Sequence, residues 1–269
     1  MIKLHYPEGM AIFGDNACHD LDFEKYDPNI DRDKPTMFWL YTLDDYKTLA
    51  NHTGKKYVVW HNADVLMFCY GKFKNQINIV RDPSITHICL NHCHEPELLQ
   101  KGIYALHRYI FWSDMGRYKP ASTLTKDCYM CSHPERGEEY GEFIYNGLAW
   151  KYPDWKFHIF GIEPTLPIYC DNVKYYGWIP EPDMDDITKN FGLCLRYNLH
   201  DGFPQVICKA LLRGQYALTC LYYDGLTLNF RDMKELFEKF EEIDFKIENG
   251  ETNKKMIPKG MINNFDFIK

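Results

Sequence analysis

Between Tyr175 and Cys220 the chain alternates short apolar runs with amphipathic ones, and no other stretch limits the fold so tightly. Val173 to Gly177 reads as an extended segment straddling its start, followed by a Pro-rich turn. Asp183 to Asn190 reads as a short acidic helix and Gly192 to Tyr197 as a buried strand. A polar turn, Asn198 to Phe203, comes next, and Pro204 stands where a first helical turn tolerates proline. The helix Gln205 to Arg213 places Val206, Ala210 and Arg213 near one face, with Ile207 and Leu211 beside them. Gly214 ends it, and Tyr216 to Cys220 is the next strand. Such alternation predicts an α/β fold, a parallel sheet with helices on its faces and a ligand crevice at the carboxyl ends of the strands. The turn from Leu199 to Pro204 falls in that crevice. The helix after it aims backbone N–H groups and its positive dipole end at an anion.

The run Asp201-Gly202-Phe203-Pro204-x-Val206-x-x-Lys209-Ala210-x-x-x-Gly214 resembles the donor-binding signature of retaining GT-B glycosyltransferases of the family-four type, E-G-F-P-x-V-x-x-E-A-x-x-x-G. The preceding strand and the Tyr-x-Gly-Trp-Ile-Pro segment match as well. The resemblance implies two Rossmann-like domains with a cleft between them, residues 1–120 on the acceptor side and 121–269 on the nucleotide-sugar side. It also implies that the first acid lies by the donor sugar hydroxyls and the second by the nucleotide ribose. Asp201 is a shortened first acid that still accepts hydroxyl hydrogen bonds. Lys209 stands at the second position and can only donate, which puts the ribose contact and the donor's identity in question.

Composition sets outer bounds. A chain of 269 residues, 45% hydrophobic and 16% aromatic, suits one large or two small domains and excludes wholesale disorder. No apolar run reaches membrane-spanning length, and MIKLHYPEGM lacks the shape of a signal peptide. Ten cysteines, many inside expected strands, suit buried thiols in a reducing, cytoplasmic setting better than a disulfide framework. The net charge of −7 gives no overall basic field toward nucleic acid or anionic lipid.

Toward the N-terminus, Ile2 to Tyr6 reads as a strand and Met10 to Phe13 as an apolar piece. The acidic stretch Asp15 to Asp33 has little period and is expected to wrap the surface. Thr36 to Thr42, Tyr57 to Trp60, Ile85 to Leu90 and Leu106 to Trp112 read as strands, with helices at Leu43 to His52 and at Pro96 to Lys101 before Gly102. VVWHNADVL and the later THICLNHCHEPELLQKGIYALHRYIFWSD are similar to the N-terminal half of short family-four enzymes. That likeness places His61, Asn62 and Asp64 on the acceptor side of the cleft. Tyr118 to Thr125 reads as the linker. Cys128 to Ser132 is a strand before the turn His133-Pro134-Glu135-Arg136-Gly137. A long helix, Glu139 to Lys151, is expected to turn Phe143, Ile144, Gly147, Leu148 and Trp150 inward, ahead of the strand Lys156 to Phe160. Arg136-Gly137 falls where the family has Lys-Gly, a cation that reaches the donor diphosphate, and a guanidinium can hold phosphate oxygens in two bonds. Arg231 to Ile243 reads as an amphipathic helix and Asn249 to Asn264 as a polar tail, which small GT-B proteins return to the first domain.

Cys128 and Cys131 have zinc-like spacing but lie along an apolar strand. Cys89, His92, Cys93 and His94 form a second cluster in a strand-to-helix loop, which the resemblance explains without a metal. No nucleophile elbow, Walker or dinucleotide-binding run is present. The resemblance therefore implies a retaining, metal-independent hexosyltransferase using a nucleotide-sugar co-substrate, UDP-linked, with no bound cofactor. Asp201, Arg136 and His61 are its catalytic candidates. Arg136, Gly137, His200, Asp201, Gly202, Phe203, Pro204 and Lys209 are expected on the donor, and His61, Asn62 and Asp64 on the acceptor. The acceptor class stays open between a glycan, a lipid-linked sugar and a modified nucleic-acid base, the last as in viral DNA-modifying glycosyltransferases. A catalytically silent nucleotide-sugar binding protein is the alternative from another class.

Overall fold

The computed structural model describes residues 1–133, 136–253, 257 and 260–268. Pro134 and Glu135 of the expected turn after Cys131, and Lys254 to Met256, Pro258 and Lys259 of the expected tail, lie outside the described residues.

The chain divides into two compact units. The first comprises Met1–Met115, His200–Phe203 and Pro258–Lys269, the second Gly116–Leu199 and Pro204–Ile257. Each is built on a six-stranded, wholly parallel sheet, the arrangement of a Rossmann-like domain.

In the first unit the strands are β1 (Ile2–His5), β2 (Phe23–Lys25), β3 (Thr36–Phe38), β4 (Lys56–Trp60), β5 (Ile85–Cys89) and β6 (Ala105–His107), in the order β2-β1-β3-β4-β5-β6. The acidic stretch does not simply wrap the surface. Its first part folds as helix α1 (Ala11–Asp20), and β2 then pairs with β1. α1 packs through small residues, Gly14 and Ala17, and Gly14 lies so close to the Tyr6 ring that a β-carbon would collide with it. A packing face made of Gly and Ala leaves almost no apolar period to read. Helix α2 (Leu43–Asn51) begins as its acids predict: Thr42 and Asp45 form a reciprocal capping box. Segment 63–84, without a clear period, forms helix α3 (Ala63–Cys69), a 3-10 turn at Lys74–Gln76 and the short helix α4 (Ile77–Val80). Helix α5 (His94–Gln100) ends before Gly102, which has φ +72°. The C-terminal segment lies on this unit: Asn263 exchanges hydrogen bonds with both backbone groups of Phe111, and Phe265 packs edge-on against Phe23.

In the second unit β7 (Thr125–Cys131), β8 (Lys156–Phe160), β9 (Val173–Tyr175), β10 (Phe191–Arg196), β11 (Tyr216–Thr219) and β12 (Leu228–Asn229) follow the order β12-β11-β10-β7-β8-β9. The long helix expected from Glu139 is broken. A 3-10 turn, Glu138–Tyr140, stops at Gly141 (φ +86°), and α6 (Glu142–Lys151) restarts there. The restart changes the buried stripe to Ile144, Tyr145, Leu148 and Ala149 and leaves Phe143 and Trp150 exposed, contrary to the sequence expectation. Trp150 lies two residues from Leu148, about 200° round the helix and so on its far side. α7 (Glu181–Thr188) and α8 (Gln205–Leu212) flank β10, and α9 (Met233–Glu248) covers the sheet with Leu236, Phe240, Ile243 and Ile247. Phe240 meets Tyr152, Trp155 and Phe157, a cluster in which each buried ring contributes about 2 kcal/mol. Among the described residues, no helix is long and apolar enough to cross a membrane.

Candidate functional site

Two groups of polar side chains stand at the carboxyl ends of the sheets, one in each unit. In the first unit, β4 ends in Trp60 and the chain turns through His61 and Asn62 into α3. Asp64 holds that turn. Its carboxylate accepts the backbone N–H of His61 at 3.0 Å and of Asn62 at 2.8 Å, and it is fully buried. A carboxylate so engaged shapes a helix entry. Asp64 therefore frames the polar group at the end of β4.

His61 itself sits in an aromatic box, its ring 4.7 Å from Trp39, 5.7 Å from Trp112 and 6.0 Å from Tyr41. Neither ring nitrogen has a hydrogen-bond partner although both are buried. A buried imidazole in that condition can serve a ligand hydroxyl as donor or acceptor. Burial, and after it the charges of Asp64 and Asp201, push the Tyr41 phenol well above its ordinary range, so Tyr41 remains a neutral O–H beside these acids.

The turn His200–Phe203 belongs to this unit and lies against the same place. Asn62 Nδ2 donates to Asp201 Oδ1 at 3.3 Å, while Asn62 Oδ1 faces His200 Nδ1 at 2.6 Å. His200 Nε2 is 2.8 Å from Glu97 Oε2 on α5. Asp201 is 6% exposed and also accepts the N–H of Gly202. Glycine at 202 has a steric cause: a β-carbon there would run into the carbonyl of His61. Asn91 donates to the Gly202 carbonyl at 3.3 Å, and Phe203 packs 4.8 Å from Tyr109. His61, Asn62, Asp64, His200, Asp201, Gly202 and Phe203, each singled out from sequence, thus meet at one point. Glu97, Asn91, Tyr41 and the Trp39–Trp112 pair complete it and carry no motif that would have marked them.

The second unit holds the remaining predicted residues. Arg136 follows β7, pairs with Glu139 and lies over the Tyr140 ring at 5.4 Å. Arg196, at the end of β10, stacks on the same ring at 4.3 Å and donates to the Cys131 carbonyl at 2.9 Å. Two guanidinium groups, one of them paired with Glu139, thus share one phenol ring at the carboxyl ends of neighbouring strands. Arg196 was not singled out from sequence, where it reads as the end of a strand. Gly137 allows close approach of the buried Glu142 carboxylate, which accepts from Tyr175 Oη at 2.7 Å and Thr165 N at 2.9 Å. Pro204 caps α8 with φ −64° and its carbonyl accepts the N–H of Ile207.

Lys209 does not stand alone on α8. It is 3% exposed and forms ion pairs with Glu181 and Asp185 of α7, the latter at 3.0 Å. Arg213 reaches Asp185 at 2.9 Å, and Tyr118 Oη donates to the same carboxylate at 3.2 Å. Burial pulls the Lys209 ammonium down, but Asp185 and Glu181 outweigh it and leave its pKa raised.

No described family and no curated protein matches this chain in sequence. Solved structures do match its fold. A variant of S. aureus TarM in complex with fondaparinux, alpha-GlcNAc-glycerol and UDP gives a TM-score of 0.60 at 15% identity, over 82% of this chain and 51% of that one. Anabaena HepE in complex with UDP-glucose gives 0.57 at 16% identity, over 79% and 69%. Sucrose-phosphate synthase from Thermosynechococcus elongatus gives 0.59 at 12% identity, over 82% and 66%. The chain spans about half the length of TarM. These neighbours are GT-B glycosyltransferases, and the two parallel sheets of this chain share their fold.

Proposed function

We propose that the chain is a glycosyltransferase that moves a hexose from a UDP-linked donor to an acceptor hydroxyl with retention of configuration. A shared fold alone would not support that reading, because sites and not folds carry chemistry. The observation that carries it is the placement of Asp201: the acid of the Asp-Gly-Phe-Pro run is buried against Asn62 at the end of β4, where a sugar hydroxyl can donate to it. UDP-bound HepE and TarM motivate the choice of nucleotide.

In this reading Asp201 accepts from the donor sugar and His61 meets the acceptor hydroxyl with a free ring nitrogen. Arg136 and Arg196 neutralise the diphosphate as the anomeric bond breaks, a charge that fixed cations stabilise without reorganising at the moment of reaction. Arg136 exchanges its Glu139 partner for phosphate. No divalent ion on the diphosphate is then needed, so added magnesium or manganese leaves the rate unchanged. Lys209 is occupied, and the half-exposed Glu181 that it holds takes the ribose hydroxyl that a carboxylate at 209 would have accepted.

Release of UDP from a panel of nucleotide sugars, with and without simple sugar acceptors, tests the reading. Transfer is expected from a UDP-hexose, with the product anomer retained by NMR. Arg136→Ala should weaken UDP binding about 10- to 100-fold by calorimetry, the equivalent of a charged hydrogen bond. Equal affinity of variant and parent removes the phosphate role. The engagement of Lys209 in a buried ion cluster favours a second reading, a protein that binds a nucleotide sugar without turning it over. Tight UDP-sugar binding with no UDP release from any donor would select it.

A further inference from the structure

His94 is the first residue of α5 and is fully buried, yet neither of its ring nitrogens has a hydrogen-bond partner. A buried imidazole without partners is costly unless something not made of protein satisfies it. Its surroundings are specific. Cys93 Sγ, a nitrogen of His94 and a nitrogen of His200 all lie within 4.8 Å of one another, and the two imidazole rings are 4.9 Å apart. All three belong to the first unit.

We propose that Cys93, His94 and His200 bind a zinc ion. One thiolate and two imidazoles are a donor set that this borderline-soft cation prefers. A tetrahedral zinc places such donors roughly 3.3–3.5 Å apart, given Zn–N of about 2.0 Å and Zn–S of about 2.3 Å, so side-chain rotations closing at most about 1.5 Å suffice. His200 Nε2 ligates, and Nδ1–H keeps its bond to Asn62 Oδ1, the outer hydrogen bond that fixes a ligating ring's tautomer. Glu97 stands one helical turn after His94 with Oε2 2.8 Å from His200 Nε2, and it moves from that nitrogen to the fourth position. The ion ties the turn at His200 and Asp201 to α5. Its role is to hold Asp201 in place through its neighbour His200; the Cys93 thiol, which donates to the Asp201 carbonyl oxygen at 3.6 Å, releases its proton and that bond when it ligates. The sequence conceals this set because Cys93 and His94 are neighbours while His200 is 106 residues beyond His94 (200 − 94). The proposal stands whether or not the protein transfers sugar.

The full chain, purified without chelator, should contain about one zinc per chain by mass spectrometry of the elements. After stripping, cobalt should restore a thiolate-to-metal charge-transfer band in the near ultraviolet. Cys93→Ser should abolish that band and weaken zinc at least about 10-fold, as loss of a ligand does. Cys131→Ser, which removes a thiol of the other zinc-like pair, should leave both unchanged. Circular dichroism shows whether Cys93→Ser is folded, and the cobalt spectrum of the parent is informative without any variant. A parent that takes up neither ion stoichiometrically overturns the proposal. A Cys93→Ser protein that binds as the parent does, or a Cys131→Ser protein that does not, also overturns it by moving the metal elsewhere.

Discussion

Asp64 and Asp201 are both acids beside one turn, and their partners assign them different work. Asp64 accepts the backbone N–H groups of His61, Asn62 and Val65 and is buried to the last atom, so a substrate finds no lone pair directed at it. Asp201 meets a side chain across the turn, Asn62 Nδ2 at 3.3 Å, as well as its neighbour's N–H, so it is not given over to backbone groups of a helix entry. Asp64→Ala should therefore act on folding. Losing charge-assisted bonds to buried N–H groups costs on the order of 3 kcal/mol, seen as a lower urea midpoint. A variant of unchanged stability with a raised KM for the acceptor would instead give Asp64 a substrate contact. The resemblance in the sequence marked both residues, since each stands in a motif. It could not separate them, because the distinction lies in which backbone groups fold back onto the carboxylate.

At the scale of elements, the ion cluster of Lys209, Arg213, Glu181 and Asp185 fastens α7 to α8. Lys209→Glu puts a third carboxylate beside Glu181 and Asp185 in a buried position. Breaking a buried pair while leaving its partner uncompensated costs about 3–5 kcal/mol, so the variant should unfold at markedly lower denaturant. Lys209→Met, which keeps the packing of the stem, should lose less. Tighter nucleotide binding by Lys209→Glu at unchanged stability would contradict the cluster. Elements of this second unit were legible where period and punctuation agree: β8 is found at Lys156–Phe160, and α8 lies between Pro204 and Gly214 as read. α1 and α3 were not, one because its packing face is Gly and Ala, the other because α3 starts directly from a strand end through Asp64. Arg196 and Glu97 escaped for a related reason. Each lies in a segment whose sequence identifies only a strand or a helix; parallel pairing of β7 with β10 gives Arg196 its neighbours, and the turn at His200, distant in sequence, gives Glu97 its own.

For the whole molecule, acid stability should be governed by the first unit, through histidines that burial keeps neutral. His87 on β5 accepts the Trp60 indole N–H at Nδ1 (3.2 Å) and its Nε2–H donates to the Val80 carbonyl (2.9 Å), an arrangement that requires one proton on the ring. Burial pushes its pKa down from 6.5 to about 4. His52 in the same unit is shifted in the same direction by the same cause. The folded pKa lies below the unfolded one, so between these values the unfolded chain holds more protons than the folded chain. Stability from His87 is then complete above pH 6.5, falls as pH drops toward about 4, and is gone below it. Over that window the loss is roughly 3 kcal/mol, with His52 adding to it in the same direction. Urea denaturation at about pH 7.5 and about pH 4.5 measures the difference. His87→Gln keeps a donor and an acceptor at this position but cannot take up a proton, so it should remove part of the slope, while His52 and His94, whose pKa burial pushes down to about 3, retain the rest. A parent whose midpoint is the same at both pH values would show that His87 is not held neutral by the fold. An unaltered slope in the glutamine variant would place the acid-sensitive group elsewhere.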